Sequence, residues 1–144
     1  MVATLRRVYR LSFANKIVLT QAVLLAFCLQ IGLKLWSFKT IIQFLKRFGT
    51  NQNRNEAATQ QVEQYDHLMR LTYKCFPFFV KCLAISTTFW FLMQRKGIET
   101  RLQFGVQKEQ GHFKSHAWLE YKGKPLTVDG DVKARYAPFA EAIL

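Results

Sequence analysis

Cys82 and His116 are the residues here whose types and setting suit covalent chemistry. Cys82 begins the stretch "CLAISTTFWFLMQRKG", whose residues are apolar almost all round apart from small hydroxyls at Ser86, Thr87 and Thr88. A segment apolar on every side is a central, buried helix. A thiol at the start of such a helix meets unpaired backbone N–H groups and the positive end of the helix dipole. Both favour the thiolate, and Lys81 beside it adds positive charge. The same N–H groups suit the oxyanion formed when a carbonyl is attacked. A thiolate of this kind needs an imidazole as base, ion-pair partner and later proton donor. His116, in "FKSHAWLEY", is the candidate, and Asp129 or Asp131 just beyond supplies a carboxylate to fix its tautomer. By residue type alone a packing cysteine and a structural histidine remain the alternative.

The elements that must position these groups follow from period and punctuation. Pro77 closes whatever precedes the Cys82 helix. Arg95 and Lys96 suit its C-terminus, and Gly97 the position just past it. After Gly97 the period becomes two. "ETRLQFGVQ" sets Leu102, Phe104 and Val106 on one face, and "KEQG" reads as a turn. "FKSHAWLEY" sets Phe113, Ser115, Ala117, Leu119 and Tyr121 against Lys114, His116, Trp118 and Glu120. "KGK" is a tight turn, and "PLTVD" a third short strand. A buried helix followed by an antiparallel meander is an α+β fold.

Ahead of this lie helices. Ala3 to Arg10 reads as a short basic amphipathic one. A second starts at Ser12 or Asn15 and is interrupted by Gly32, and a third covers Phe38 to Phe48 and stops at Gly49. "GTNQNRNEAATQQ" is the one polar stretch. It divides the chain into a basic, apolar segment, 1–50, and a core, 51–144, and leads into a helix capped near Asn55 with Glu56 in its first turn. That helix continues over Gln60 to Leu71 and carries His67 as a surface or packing residue. Ile17 to Trp36 has the length of a bilayer span, but Gln21, Gln30 and Lys34 interrupt it. A buried or membrane-surface helix is therefore the favoured reading.

The charge is uneven. The chain has 21 basic and 9 acidic residues, net +12, yet from Met1 to Asn55 there are nine Lys or Arg and no acid. That field suits an acidic peptide or partner, or a membrane surface. Nucleic acid is not expected, because no zinc spacing, helix-turn-helix or aromatic-basic motif accompanies the charge. Three cysteines in no regular framework and no cleavable signal peptide indicate a cytoplasmic protein with free thiols, with membrane-surface contact left open. Cys28 and Cys75 read as packing residues. His112 and His116 share a strand face, but with no third ligand in view no metal or cofactor is expected.

The stretch from Cys82 to Gly123 resembles the lasso-peptide B proteins, the transglutaminase-like leader peptidases of lasso-peptide biosynthesis. The shared pattern runs Cys82-Leu83, Arg95-Lys96-Gly97-Ile98, Leu102 with Gly105-Val106, then His116-Ala117-Trp118-Leu119-Glu120 and Gly123. The tail, Asp131-Val132 and Arg135-Tyr136-Ala137-Pro138-Phe139, is also similar, and the likeness before Gly49 is looser. The resemblance implies a papain/transglutaminase-like cysteine peptidase core with Cys82 as nucleophile and His116 as general base and acid. For the third member the family often has an acid where Val128 stands here, which leaves Asp129 first and Asp131 second. It also implies partners: the leader of a precursor peptide, and an asparagine-synthetase-like cyclase that closes the macrolactam after cleavage. Some relatives carry a leader-recognition domain on the same chain. The first 50 residues here are helical and hydrophobic, so the implied system is split, with a separate PqqD-like recognition protein delivering the leader. Acyl transfer to an amine on the same fold, and a non-catalytic membrane-associated scaffold, are the rival readings.

Overall fold

A computed structural model describes Tyr9 and residues 12–49, 58–75, 81–126 and 136–138. Among the described residues from 12 onward, four helices precede a four-stranded antiparallel sheet: α1 (Phe13–Leu35), α2 (Phe38–Gly49), α3 (Ala58–Cys75), α4 (Cys82–Arg95), β1 (Arg101–Glu109), β2 (His112–Tyr121), β3 (Lys124–Leu126) and β4 (Ala137–Pro138). The order across the sheet is β3-β2-β1-β4. The α+β class is as expected, with the apolar helix central and the meander after it.

Helix α4 explains the arrangement. Every residue from Ala84 to Phe91 is buried, as is Met93, so α4 has no face for water. It is enclosed by α1, α2 and α3 and by the inner face of β1 and β2. Ile85, Phe89 and Met93 join Leu19, Ala22, Ala26 and Leu29 of α1, Ile41, Ile42 and Leu45 of α2, Val62, Leu68 and Met69 of α3, and Leu102 and Leu119 of the sheet in one core. The N-terminal helices thus share a core with the residues that follow them. Tyr65 of α3 meets Phe89 edge-on with ring centroids 6.4 Å apart, and Phe38 of α2 meets Phe104 of β1 at 5.4 Å.

Local signals set the helix limits. Ser12 caps α1, its hydroxyl accepting from the Asn15 N–H at 3.4 Å, and Gly32 is carried inside the helix, buried under Ile41 and Trp36. Helix α4 stops in a Schellman motif: the Gly97 N–H donates to the Gln94 carbonyl and the Ile98 N–H to that of Met93, both at 3.0 Å. Gly97 has φ 73°, a conformation glycine adopts without penalty.

Two expectations are corrected. Lys108 and Glu109 belong to β1, and the turn is confined to Gln110 and Gly111, because the register continues to Glu109 opposite His112. Helix α3 extends past Leu71 to Cys75. The two-residue β4, which pairs Gly105 with Pro138 and Val106 with Ala137, went unread because so short a strand carries no period. The helix proposed for Ala3 to Arg10 has only Tyr9 among the described residues. The cap near Asn55, and the stretch of "PLTVD" beyond Leu126, fall outside them.

Because Phe89 is fully buried at the centre of this enclosure, Phe89→Ala should destabilise the fold by about 3–5 kcal/mol. The midpoint of urea unfolding, followed by circular dichroism, measures this.

Candidate active site

Cys82 is the first residue of α4 and is partly exposed. Lys81 occupies the cap position with an extended backbone, and no side chain caps the helix. The first intrahelical bond runs from the Ile85 N–H to the Lys81 carbonyl at 3.2 Å. The preceding N–H groups of the first turn, which Cys82 opens, therefore have no intrahelical acceptor. The Lys81 N–H itself donates to Gln30 Oε1 of α1 at 2.8 Å, which pins the chain one residue before the sulfur.

A buried polar relay joins this end of α4 to the sheet. Ser86, one turn after Cys82, donates its hydroxyl to the Ala117 carbonyl at 3.0 Å. That donation uses the one hydroxyl hydrogen of Ser86. Tyr73 of α3 donates its single hydroxyl hydrogen to the Cys82 carbonyl at 3.2 Å, and its oxygen lies 3.2 Å from Ser86 Oγ. Burial pushes the Tyr73 phenol far above its ordinary value; the Ser86 hydrogen bond works against this and the Cys82 charge adds to it. The phenol remains a donor across the working range of pH. Neither Tyr73 nor Ser86 was singled out as a site residue from the sequence. The one available signal was Ser86 four positions after Cys82, and nothing distinguished it from Thr87 and Thr88. In the fold, Thr88 turns its hydroxyl back to the Ala84 carbonyl at 2.7 Å, so of these two Ser86 reaches the sheet.

His116 follows Ser115 in β2 and lies opposite Gly105 of β1. Its neighbour Ala117 is the residue held by Ser86, so the strand is clamped to α4 immediately beside the imidazole. Strand alternation places His116, Trp118 and Glu120 on one face, while Leu119 enters the core with Leu102. The His116 ring stacks near Trp118, centroids 6.2 Å apart and planes at 18°, and lies 5.3 Å from Tyr136. Gly105 makes this aromatic group fit. A Cβ there would stand 2.9 Å from both Trp118 Cη2 and Tyr136 Cβ. Trp118 Nε1 donates to Glu120 Oε1 at 3.1 Å, which accounts for a buried indole N–H. Burial lowers the His116 pKa from 6.5, so the ring is a neutral base at physiological pH.

The structure therefore brings the Cys82 turn and the His116 strand together through Ser86 and Ala117. Among the described residues, no hydrogen bond joins the Cys82 thiol to the imidazole. Asp129 and Asp131 both lie outside the described residues. Cys75 is half-buried, and burial pushes its thiol up, consistent with an inert packing role. Cys28 is corrected: it is exposed, because its side of α1 turns away from α4.

A thiol at the start of a buried central helix, packed on an antiparallel sheet that carries a histidine, is the layout of the papain/transglutaminase-like class. Residues 24–141 match the transglutaminase-like superfamily, and the chain belongs to it. This superfamily generally includes cysteine peptidases and acyltransferases, whose shared chemistry is thiol-based attack on an acyl group. No curated protein and no solved structure matches the chain.

Two measurements test the site's construction. Ser86→Ala leaves a buried Tyr73 hydroxyl with one partner fewer and the Ala117 carbonyl without its cross-link. It should cost about 1–3 kcal/mol in stability, read by urea unfolding. The His116 ring, followed by proton NMR, should titrate with a midpoint below 6.5. The folded state holds that proton less well than the unfolded chain, so its contribution to stability is complete above pH 6.5. That contribution is lost as the pH falls through the folded midpoint. A midpoint at or above 6.5 would contradict the half-buried placement.

Proposed function

We propose that the protein is a cysteine peptidase that removes the leader from a lasso-peptide precursor, before a separate asparagine-synthetase-like cyclase closes the macrolactam. The observation that carries this reading is the ordered series from Cys82 to Gly123. Its cysteine opens α4, its Gly97 ends α4, and its His116-Ala117-Trp118-Leu119-Glu120 run forms β2 beside the Ser86 clamp. Superfamily membership supports the thiol chemistry, and the resemblance to the B proteins supports the substrate.

In this mechanism neutral His116 takes the Cys82 thiol proton, the resulting thiolate attacks the scissile carbonyl, and the N–H groups of the first turn of α4 receive the oxyanion. The C–N bond breaks as protonated His116 gives its proton to the departing amine of the core peptide. The leader is then held as a thioester on Cys82. Water, losing a proton to His116, attacks the thioester, and the leader leaves as a carboxylic acid with the thiolate restored. The imidazole must come within hydrogen-bond reach of the sulfur for these transfers. Asp129, or Asp131 in its place, orients the ring. Leader delivery falls to a separate PqqD-like recognition protein in the cytoplasm.

The decisive experiment is mass spectrometry of a lasso precursor incubated with the protein and its recognition partner. Cleavage at one bond should occur with the wild type and fall at least about a hundredfold in Cys82→Ala and in His116→Ala. Asp129→Asn and Asp131→Asn should separate the two carboxylates, with the larger loss at the orienting one. Cleavage that persists in Cys82→Ala removes the mechanism. A product heavier by an added amine, in place of the hydrolysed leader, would assign acyl transfer instead.

A further inference from the structure

Helix α1 has two apolar faces, and the packing of the domain uses one of them. Leu19, Ala22, Ala26, Leu29 and Gly32 are buried. On the other side Phe13, Ile17, Leu24, Phe27, Ile31 and Leu35 are 44–80% exposed. At the 100° per residue of an α-helix these six positions fall within roughly a quarter turn of one another. They form one straight stripe about 33 Å long, from the 1.5 Å rise per residue. Thr20 lies within the stripe, and its hydroxyl is bonded to the Lys16 carbonyl at 2.9 Å, so it adds little polarity. Beyond the end of α1, Trp36 is 62% exposed, and on α2 the rings of Phe44 and Phe48, each more than 60% exposed, lie 4.9 Å apart. An apolar groove of about 370 Å³ connects the two helices, bordered by Cys28, Trp36 and Phe44. Single exposed apolar residues are ordinary, but a continuous patch of this extent marks a binding surface.

We propose that this face seats the protein on an anionic lipid surface, with α1 lying in the plane of the bilayer interface. Charge selects the occupant. Helices α1 and α2 carry Lys16, Lys34, Lys39, Lys46 and Arg47, and no acidic residue occurs before Glu56. Basic residues beside an apolar stripe extend their ammonium groups to lipid phosphates while their stems cover apolar surface. Trp36 and the Phe44–Phe48 pair suit the boundary between headgroups and acyl chains. The stripe also lacks hydrogen-bonding groups that would specify a protein partner. Although α1 has 23 residues and the hydropathy of a spanning helix, its opposite face is committed to α4, and Gln30 is bonded to Lys81. It therefore lies on a membrane and does not cross it. The proposal is independent of the peptidase reading.

Sedimentation of the full chain with vesicles tests it. Vesicles of phosphatidylcholine with one-quarter phosphatidylglycerol should carry the protein down, and pure phosphatidylcholine vesicles should bind at least about tenfold more weakly, with added salt weakening the former. Phe27→Glu/Ile31→Glu alters exposed positions only. It should keep the wild-type circular dichroism and lose vesicle binding, whereas Lys34→Glu/Lys39→Glu should weaken binding to the anionic vesicles alone. Cys82→Ala should bind like the wild type, so loss of peptidase activity and loss of lipid binding are read separately. Folded wild-type protein left in the supernatant overturns the proposal, as does binding that Phe27→Glu/Ile31→Glu leaves unchanged. If, without vesicle binding, that double variant splits a dimer seen by light scattering, the stripe is a contact between copies of this chain and the lipid assignment fails.

Discussion

An apolar helix with no polar side must be enclosed, and the enclosure of α4 determines the rest of this small domain. One sheet face cannot cover a helix that is buried over its whole circumference, so α1, α2 and α3 complete the wall. Gly49 illustrates how tight the fit is, because a Cβ there would meet the Phe91 ring at 3.2 Å. The basic N-terminal third is consequently a structural part of the domain and supplies the far wall of the core. With the helix body sealed, its N-terminus is where its backbone polarity can be met from outside, and Cys82 stands there.

A buried polar group is costly unless it is hydrogen-bonded. The Tyr73, Ser86 and Ala117 relay meets that requirement and has a geometric result. It holds three elements in register, α3 by its phenol, α4 by its hydroxyl and β2 by its carbonyl, at the level of the thiol's own turn. The two candidate side chains, Cys82 and His116, are thus carried on a braced frame. On the outer face of the sheet, Trp118 and Tyr136 close over Gly105 and desolvate the imidazole, which keeps it in the form that accepts a proton.

Much of this was legible in the residues. The change of period after Gly97 located the sheet, and the Gly97 stop and the apolar run from Cys82 located the buried helix within a residue or so. The alternation in "FKSHAWLEY" assigned both faces of β2 correctly. The relay was not legible, because three adjacent hydroxyls look alike until the packing decides which one faces a carbonyl. Nor was β4, whose pairing depends on the chain returning from elsewhere and on no local pattern. Placement of the candidate groups relative to each other is a tertiary quantity of the same kind: spacing put Cys82 and His116 on suitable elements without fixing the distance between their side chains.

Helix α1 shows where composition misleads and geometry decides. A mean hydropathy high enough for a bilayer span arises from two different faces, one filled with small and aliphatic residues against α4 and one with Phe, Leu and Ile toward the outside. Averaging over a window merges them, as does the periodicity test, since apolar residues at two opposite angles nearly cancel in a helical moment. The separation appears only once Ala22, Ala26 and Gly32 are seen to be the buried set. Small residues let α1 approach α4 closely, and the large ones are left over on the other side. Such a surplus on one face is the mark of a binding surface. Selection for solubility would replace Leu24, Phe27 or Ile31 with polar residues at little cost to the core, because none of them touches α4's enclosure as a buried side chain. Their presence beside an unbroken run of basic charge is therefore the feature of the chain that its fold alone does not require.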